Sequence, residues 1–152
     1  MYEDIVVYLD DDGKQQKLEK VEVTSATYKQ VTYEHKGGRK APARDGSKVL
    51  RISYADEPGV YVTGKKNMRE GQYKAAASDF DGAKNAVAAW RARAWLTEYA
   101  NVRKAQALTA LARKSPEKAE EAIAAYRDAL KANPESLLFD EIQLGMAEAF
   151  SL

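Results

Sequence analysis

The chain has 152 residues, enough for one ordinary domain or two small ones, and its 45% hydrophobic and 31% charged residues are normal globular usage. Its 24 Lys and Arg against 23 Asp and Glu leave a net charge of +1, so no overall field attracts nucleic acid or an anionic membrane surface. The absence of cysteine excludes disulfides, thiolate metal sites and thiol nucleophiles.

The first residues, MYEDIVVYLDDDG, do not have the pattern of an export signal. They carry no positively charged n-region, and their apolar run is only about five residues long. No stretch of the chain approaches the roughly 20 apolar residues that span a bilayer. We therefore expect a cytoplasmic protein without a membrane partner.

Residues 1–56 have the period-two pattern of β-strands. Apolar and polar residues alternate in stretches around Ile5–Leu9, Leu18–Val23, Val31–Tyr33 and Leu50–Tyr54. The pairs Asp12-Gly13, Gly37-Gly38 and Asp45-Gly46 can adopt positive φ and so close hairpins. A sheet this small must curl to bury one face, so the pattern predicts about five short antiparallel strands in a small barrel.

Three segments of this region are similar to a known barrel. DIVVYLDDDG, KVEVTSATYKQVTYEHKGG and KVLRISYADEP resemble the Sm-like, SH3-type barrel that precedes helical repeats in some bacterial proteins. The resemblance covers about residues 3–55. Lys20 stands where such barrels often carry a glycine before the valine of the second strand.

From Pro58 onward the hydrophobic period becomes helical, and two segments resemble tetratricopeptide repeats (TPRs). In the first segment the family positions are occupied by Gly64, Gly71, Tyr73, Ala76, Phe80 and Ala83. In the second they are occupied by Ala122, Tyr126, Ala129 and Pro134. Small residues at these positions let two helix axes approach to about 8–10 Å, with the aromatic residues filling the space beside them.

The two copies are further apart than the family period. Ala76 and Ala122 are separated by 46 positions, whereas the TPR period is about 34. Asn85 to Ser115 contains no Pro or Gly, which predicts one or two long helices there. We therefore expect an α+β protein: a five-stranded antiparallel barrel (1–56), then an all-α, TPR-like helical-hairpin array (57–152) with a long middle helix and an incomplete last repeat.

The favoured function is a non-catalytic scaffold for protein interaction or assembly. TPR resemblance implies a partner groove on the first repeat helix, with Tyr61, Lys65 and Met68 as its residues or, equally, as ordinary intra-repeat or solvated contacts. Trp95 and Tyr99 are either core residues, which is the default, or anchors for a partner.

The apolar pattern of the last helix predicts self-association. An apolar stripe of Leu138, Ile142, Met146 and Phe150 would be exposed if the helix stood alone. Further repeats, another copy of the chain, or folding back onto the barrel could each cover it. We expect a protein partner or a homo-oligomer.

The alternative function is a nucleic-acid-binding adaptor that uses the basic hairpin of the barrel. Its residues would be Lys36, Arg39, Lys40 and Arg44, although a solvated hairpin is the preferred interpretation and nucleic acid is disfavoured. Catalysis has no support, because the single histidine, His35, has no nucleophile to activate and no phosphate-binding motif occurs. We expect no enzyme activity, cofactor or metal.

Overall fold

The fold is that of a computed structural model, which describes residues 2–90 and 93–152 and, for residues 86–90, the backbone alone. Two compact units are present, Met1–Asp56 with Glu135–Leu137 and Glu57–Pro134 with Leu138–Leu152. An antiparallel sheet is followed by five helices in the described residues, which confirms the predicted α+β class.

The first unit contains a six-stranded sheet with the order β4-β3-β2-β1-β6, in which β5 also pairs with β3. The strands are β1 (Asp4–Leu9), β2 (Gln15–Ala26), β3 (Gln30–His35), β4 (Arg39–Lys40), β5 (Arg44–Asp45) and β6 (Val49–Ser53). The sheet has six strands and is not closed, which corrects the expectation of a five-stranded antiparallel barrel. The physical reason lies in β4 and β5, which are two residues long and flank Pro42, a residue without an N–H to donate.

The core of the first unit is built on valines and one carboxylate. Val6, Val21 and Val31 are fully buried. The alternating pattern predicted this for Val21 and Val31, but in β1 it favoured Ile5 and Leu9, which are only half-buried. Asp4 is also fully buried, and its two oxygens accept hydrogen bonds from the backbone N–H groups of Val23 (2.9 Å) and Ala55 (2.9 Å). This side chain therefore ties β1 to β2 and to the chain that leaves β6.

Glu135–Leu137 is a second chain segment in the first unit. The N–H of Tyr28 donates to the Glu135 carbonyl (2.9 Å), Lys29 forms an ion pair with the Glu135 carboxylate (3.0 Å), and Ser136 forms an isolated β-bridge with Thr27. These contacts satisfy backbone groups beyond the end of β2.

Lys20 lies at a bend in β2, at the position where the barrels that this sequence resembles often carry glycine. Its φ of 57° lies in the left-handed region. The pairing of β1 with β2 shifts register at this point, because Asp4 lies opposite Val21 and Val6 lies opposite Leu18. A side chain in this conformation costs about 1–2 kcal/mol, which glycine does not incur.

We expect Lys20→Gly to stabilise the protein by about 0.5–1 kcal/mol, because relief of the left-handed strain exceeds the added backbone entropy of the unfolded chain. Chemical denaturation measures the change. Lys17→Gly is the matched control: it lies on the same strand, is exposed, does not have positive φ, and should lower the free energy of unfolding. Equal losses in both variants would show that Lys20 is not strained.

The second unit consists of five helices in which each packs against the next. They are α1 (Gly59–Arg69), α2 (Tyr73–Trp90), α3 (Trp95–Ala112), α4 (Lys118–Ala132) and α5 (Phe139–Phe150). The predicted long helical stretch between Asn85 and Ser115 is found as the end of α2 and the whole of α3, with residues 91 and 92 outside the described part. α3 contacts all four other helices. It is therefore buried on several sides, which explains why its aromatic residues do not form one stripe.

Close helix contacts occur at residues without bulky side chains. A Cβ placed on Gly64 of α1 would lie 2.7 Å from Cε1 of the Phe80 ring on α2, and a Cβ on Gly145 of α5 would overlap the ring of Tyr126 on α4. Ala76 and Ala83 on α2 are fully buried. The small residues and aromatic residues predicted to pack together are thus found in the core of this unit.

We expect Gly64→Ala to destabilise the protein by about 1–2 kcal/mol, because the buried Phe80 ring has to move and the gain in helix propensity offsets only part of that cost. Gly82→Ala is the matched control, since a Cβ there would meet only Val60 at 3.7 Å, and it should stabilise by about 0.5–1 kcal/mol. Thermal denaturation would contradict this packing if both variants melted at higher temperature than the wild type.

Candidate protein-interaction site

The predicted groove residues on α1 are only partly accessible. Tyr61 is 2% exposed, and its ring packs edge-on against Phe80 (5.5 Å between centroids) and Trp95 (5.6 Å). Burial raises the pKa of its hydroxyl, an effect that Arg103 opposes. This residue is therefore a core residue and not a groove residue.

Lys65 and Met68 lie on the same helix and are half-buried. The Lys65 ammonium group donates to both carboxylate oxygens of Glu57 at 2.8 Å and lies 5.3 Å from the centre of the Tyr61 ring. Its charge is thus already engaged within the second unit. The proposal that these two residues bind a partner stays a prediction.

Trp95 and Tyr99, at the start of α3, are in the core. They are 8% and 6% exposed, and their rings meet edge-on at 5.5 Å. Since the Trp95 ring also contacts Tyr61, the three rings form one aromatic cluster. Self-association cannot use these side chains without opening the second unit, so the default core interpretation applies.

The apolar stripe predicted on α5 is partly wrong in position. Ile142 is fully buried, Leu138 is buried and Met146 is half-buried, because this side of α5 packs against α3 and α4. Phe150 is 61% exposed, and Leu144, which lies outside the predicted stripe, is 73% exposed. The exposed apolar surface is therefore centred on Leu144, Ala147 and Phe150, which we call the outer face of α5.

A second surface, which sequence reasoning missed, lies on α2, α3 and the start of α4. This lysine-rimmed groove has a volume of about 540 Å³ and is lined by Lys74, Ala77, Ser78, Asp81, Lys104, Leu108, Leu111, Ser115, Lys118 and Glu121. A sequence signal exists for it: the α2 residues recur at i, i+3, i+4 and i+7, which places them on one helical stripe. That spacing does not predict which neighbouring helix completes the groove.

Some of the charged side chains that line the groove form ion pairs, and others do not. Asp81 accepts hydrogen bonds from Lys104 (2.9 Å) and Lys84 (3.0 Å), and Lys118 pairs with Glu121 (2.9 Å). Lys74 is exposed and has no ion pair among the described residues. Three lysines against two carboxylates leave the lining with a small positive charge over an apolar floor.

The cationic residues of the basic hairpin in the first unit are of two kinds, exposed and half-buried. Lys36, Arg39 and Lys40 are exposed at the turn between β3 and β4 and at β4 itself. Arg44 is half-buried, with its guanidinium group 3.8 Å from the centre of the Tyr8 ring. Arg44 is therefore held against the sheet surface by a cation–π contact.

The cleft beside Arg44 is acidic as well as basic. It measures about 430 Å³, and Asp10, Asp11 and Asp45 line it together with Arg44 and Lys48. Three carboxylates against two cations do not attract a phosphate backbone. The cleft gives the nucleic-acid alternative no support, and that alternative stays an untested prediction.

The described residues contain no group of three or more His, Asp or Glu side chains that could hold a metal ion. None of the helices in residues 2–90 and 93–152 combines the length and the apolar content that a bilayer crossing requires. No protein-family model, curated protein or solved structure matches the chain significantly. A function has to be argued from the surfaces themselves.

Asp81, at the rim of the groove, makes a pH-dependent contribution to the stability of the folded protein. Hydrogen bonds from Lys104 and then Lys84 hold the pKa of this carboxyl below its usual value. Because the folded pKa lies below the unfolded one, of about 3.9, the stabilisation is complete above that value and is lost as the pH falls through the folded pKa.

We expect Asp81→Asn to reduce the free energy of unfolding at pH 7 by less than about 1 kcal/mol, because the carboxylate is half exposed. The difference from the wild type should shrink as the pH falls from about 5 to about 3. Urea denaturation across this range measures it, with exposed Glu19→Gln as the control. A difference that stayed constant with pH would rule out the ion pairs as its cause.

Proposed function

We propose that the protein is a non-catalytic scaffold that associates with further copies of itself through the outer face of α5. The supporting observation is the exposure of Leu144 and Phe150, which are the two most exposed large hydrophobic side chains of the described residues. Single exposed apolar residues are common on protein surfaces. Leu144 and Phe150 lie six positions and about 120° apart on α5, with the exposed Ala147 between them, and together they form a wider apolar stretch of the kind found at interaction sites.

The packing of the second unit supports a scaffold of TPR-like helices. Consecutive helices contact each other along the chain, as in repeat arrays in which each unit buries the face of its neighbour. α5 has one buried face and one apolar outer face. In such an array the outer face is the surface on which the next helix would pack.

The expected strength of the association is modest. Fully burying a Leu or Phe side chain contributes about 1.5–3 kcal/mol, so the two exposed side chains together contribute about 2–4 kcal/mol. Association itself costs about 4–15 kcal/mol in lost freedom of motion. The interface therefore needs polar contacts in addition, and the self-association should be weak and strongly dependent on concentration.

We expect light scattering over a concentration series up to the millimolar range to show the mean mass of the wild type rising with concentration. Leu144→Asp should weaken the association at least about tenfold, since about 1.4 kcal/mol corresponds to a factor of ten. Leu144 is exposed, so its replacement should leave the fold intact, unlike replacement of the buried Ile142.

Val62→Asp is the matched control. Val62 is 45% exposed on α1, outside the outer face of α5, and its replacement removes exposed apolar surface and adds the same charge, so the variant should associate like the wild type. A wild type that remains monomeric at every concentration would overturn the proposed function. Equal loss in both variants would show that the loss is not specific to the outer face of α5.

A further inference from the structure

We propose that the outer face of α5 in one copy docks into the lysine-rimmed groove of a second copy. This inference rests on the proposed function, and it specifies the surface that receives α5. The two surfaces lie on the same unit but are different, so the contact would be heterologous, with each copy offering one helix and one groove.

The dimensions of the two surfaces agree. Along α3 the groove lining runs from Lys104 to Leu111, about 10 Å at the 1.5 Å rise of a helix. On α5 the outer face runs from Leu144 to Phe150, about 9 Å. The groove therefore accommodates the two turns that carry the apolar side chains, as in other complexes where an amphipathic helix lies in a groove.

The apolar parts also correspond. Ala77 and Leu108 are buried in the floor of the groove, and Leu111 is half-buried there. Leu144 and Phe150 project from α5 as the most exposed large hydrophobics. A floor with a small residue on one side leaves volume that a Leu or Phe side chain can fill.

The charges are complementary. α5 contains Asp140, Glu141 and Glu148 and no Lys or Arg, whereas the groove carries an excess of lysine. Glu141 and Glu148 already pair with Arg103 (3.8 Å) and Arg113 within the same copy. Asp140 is exposed and has no ion pair among the described residues, so it is the acidic group still open to a partner.

The orientation of α5 in the groove follows from the ion pairs. Asp81 contacts Lys104, so these two residues mark one end of the groove. Lys74, seven positions before Asp81, therefore lies at the other end, level with Leu111, seven positions after Lys104. Asp140 at the start of α5 would meet Lys74, and Phe150 would point towards the Asp81 end.

Charge reversal tests the contact. Lys74→Glu and Asp140→Lys, both at exposed positions, should each weaken self-association about five- to tenfold in sedimentation equilibrium at low salt. The double variant should return to within about threefold of the wild type, because it restores the pair with opposite polarity. Lys66→Glu on α1 is the control and should associate like the wild type.

Mixing two deficient variants tests the heterologous geometry. Lys74→Glu keeps an intact α5 and Leu144→Asp keeps an intact groove, so an equimolar mixture should form dimers at a lower concentration than either variant alone. Since the other two surfaces in such a dimer are disabled, growth should stop there.

The outcomes separate the two proposals. If Leu144→Asp abolishes association while Lys74→Glu associates like the wild type, the groove is not the partner surface and the inference is overturned, although the proposed function stands. If the wild type is monomeric throughout, both proposals fail. Single reversals without rescue in the double variant would also overturn the pairing of Lys74 with Asp140.

Discussion

The helical unit depends on close approach between helices at positions that lack bulky side chains. The ring of Phe80 occupies the space where Gly64 has no side chain, and the ring of Tyr126 does the same at Gly145. Protein interiors are packed as densely as organic crystals, so one added methyl group at such a contact has to move a ring or a helix. These contacts therefore determine how the helices are rotated about their axes.

The rotation of α5 explains why its outer face is apolar. Gly145 must point inward, because the Tyr126 ring fills the space next to it. Neighbouring residues on a helix are separated by about 100°, so Leu144 is turned away from that contact and is exposed. A packing requirement in the core thus places a large apolar side chain on the surface, and the surface that we propose for association follows from it.

Much of the fold could be predicted from the sequence, because period and turn chemistry are local signals. The change from period two to a helical period, the turns at Gly13 and Gly37-Gly38 and the small residues of α2 correspond to observed features. The prediction for Asp45-Gly46 was wrong, because Gly46 does not have positive φ and begins a short 3₁₀-helix between β5 and β6, which do not pair with each other. The exposed stripe on α5 could not be predicted correctly. Residues spaced by four advance about 40° around the helix at each step, so the stripe from Leu138 to Phe150 turns about 120°, beginning buried and ending exposed. The lysine-rimmed groove also escaped prediction, since it needs the packing of three helices.

A small heterologous contact has consequences for the kind of assembly. The net charge of +1 provides no long-range attraction between copies, so the proposed recognition relies on the acids of α5 and the lysines of the groove. The apolar side chains of one such contact contribute no more than the cost of association. In an open chain the terminal copies make only one contact, whereas in a closed ring every copy makes two. A ring is therefore the assembly in which so small an interface is most effective.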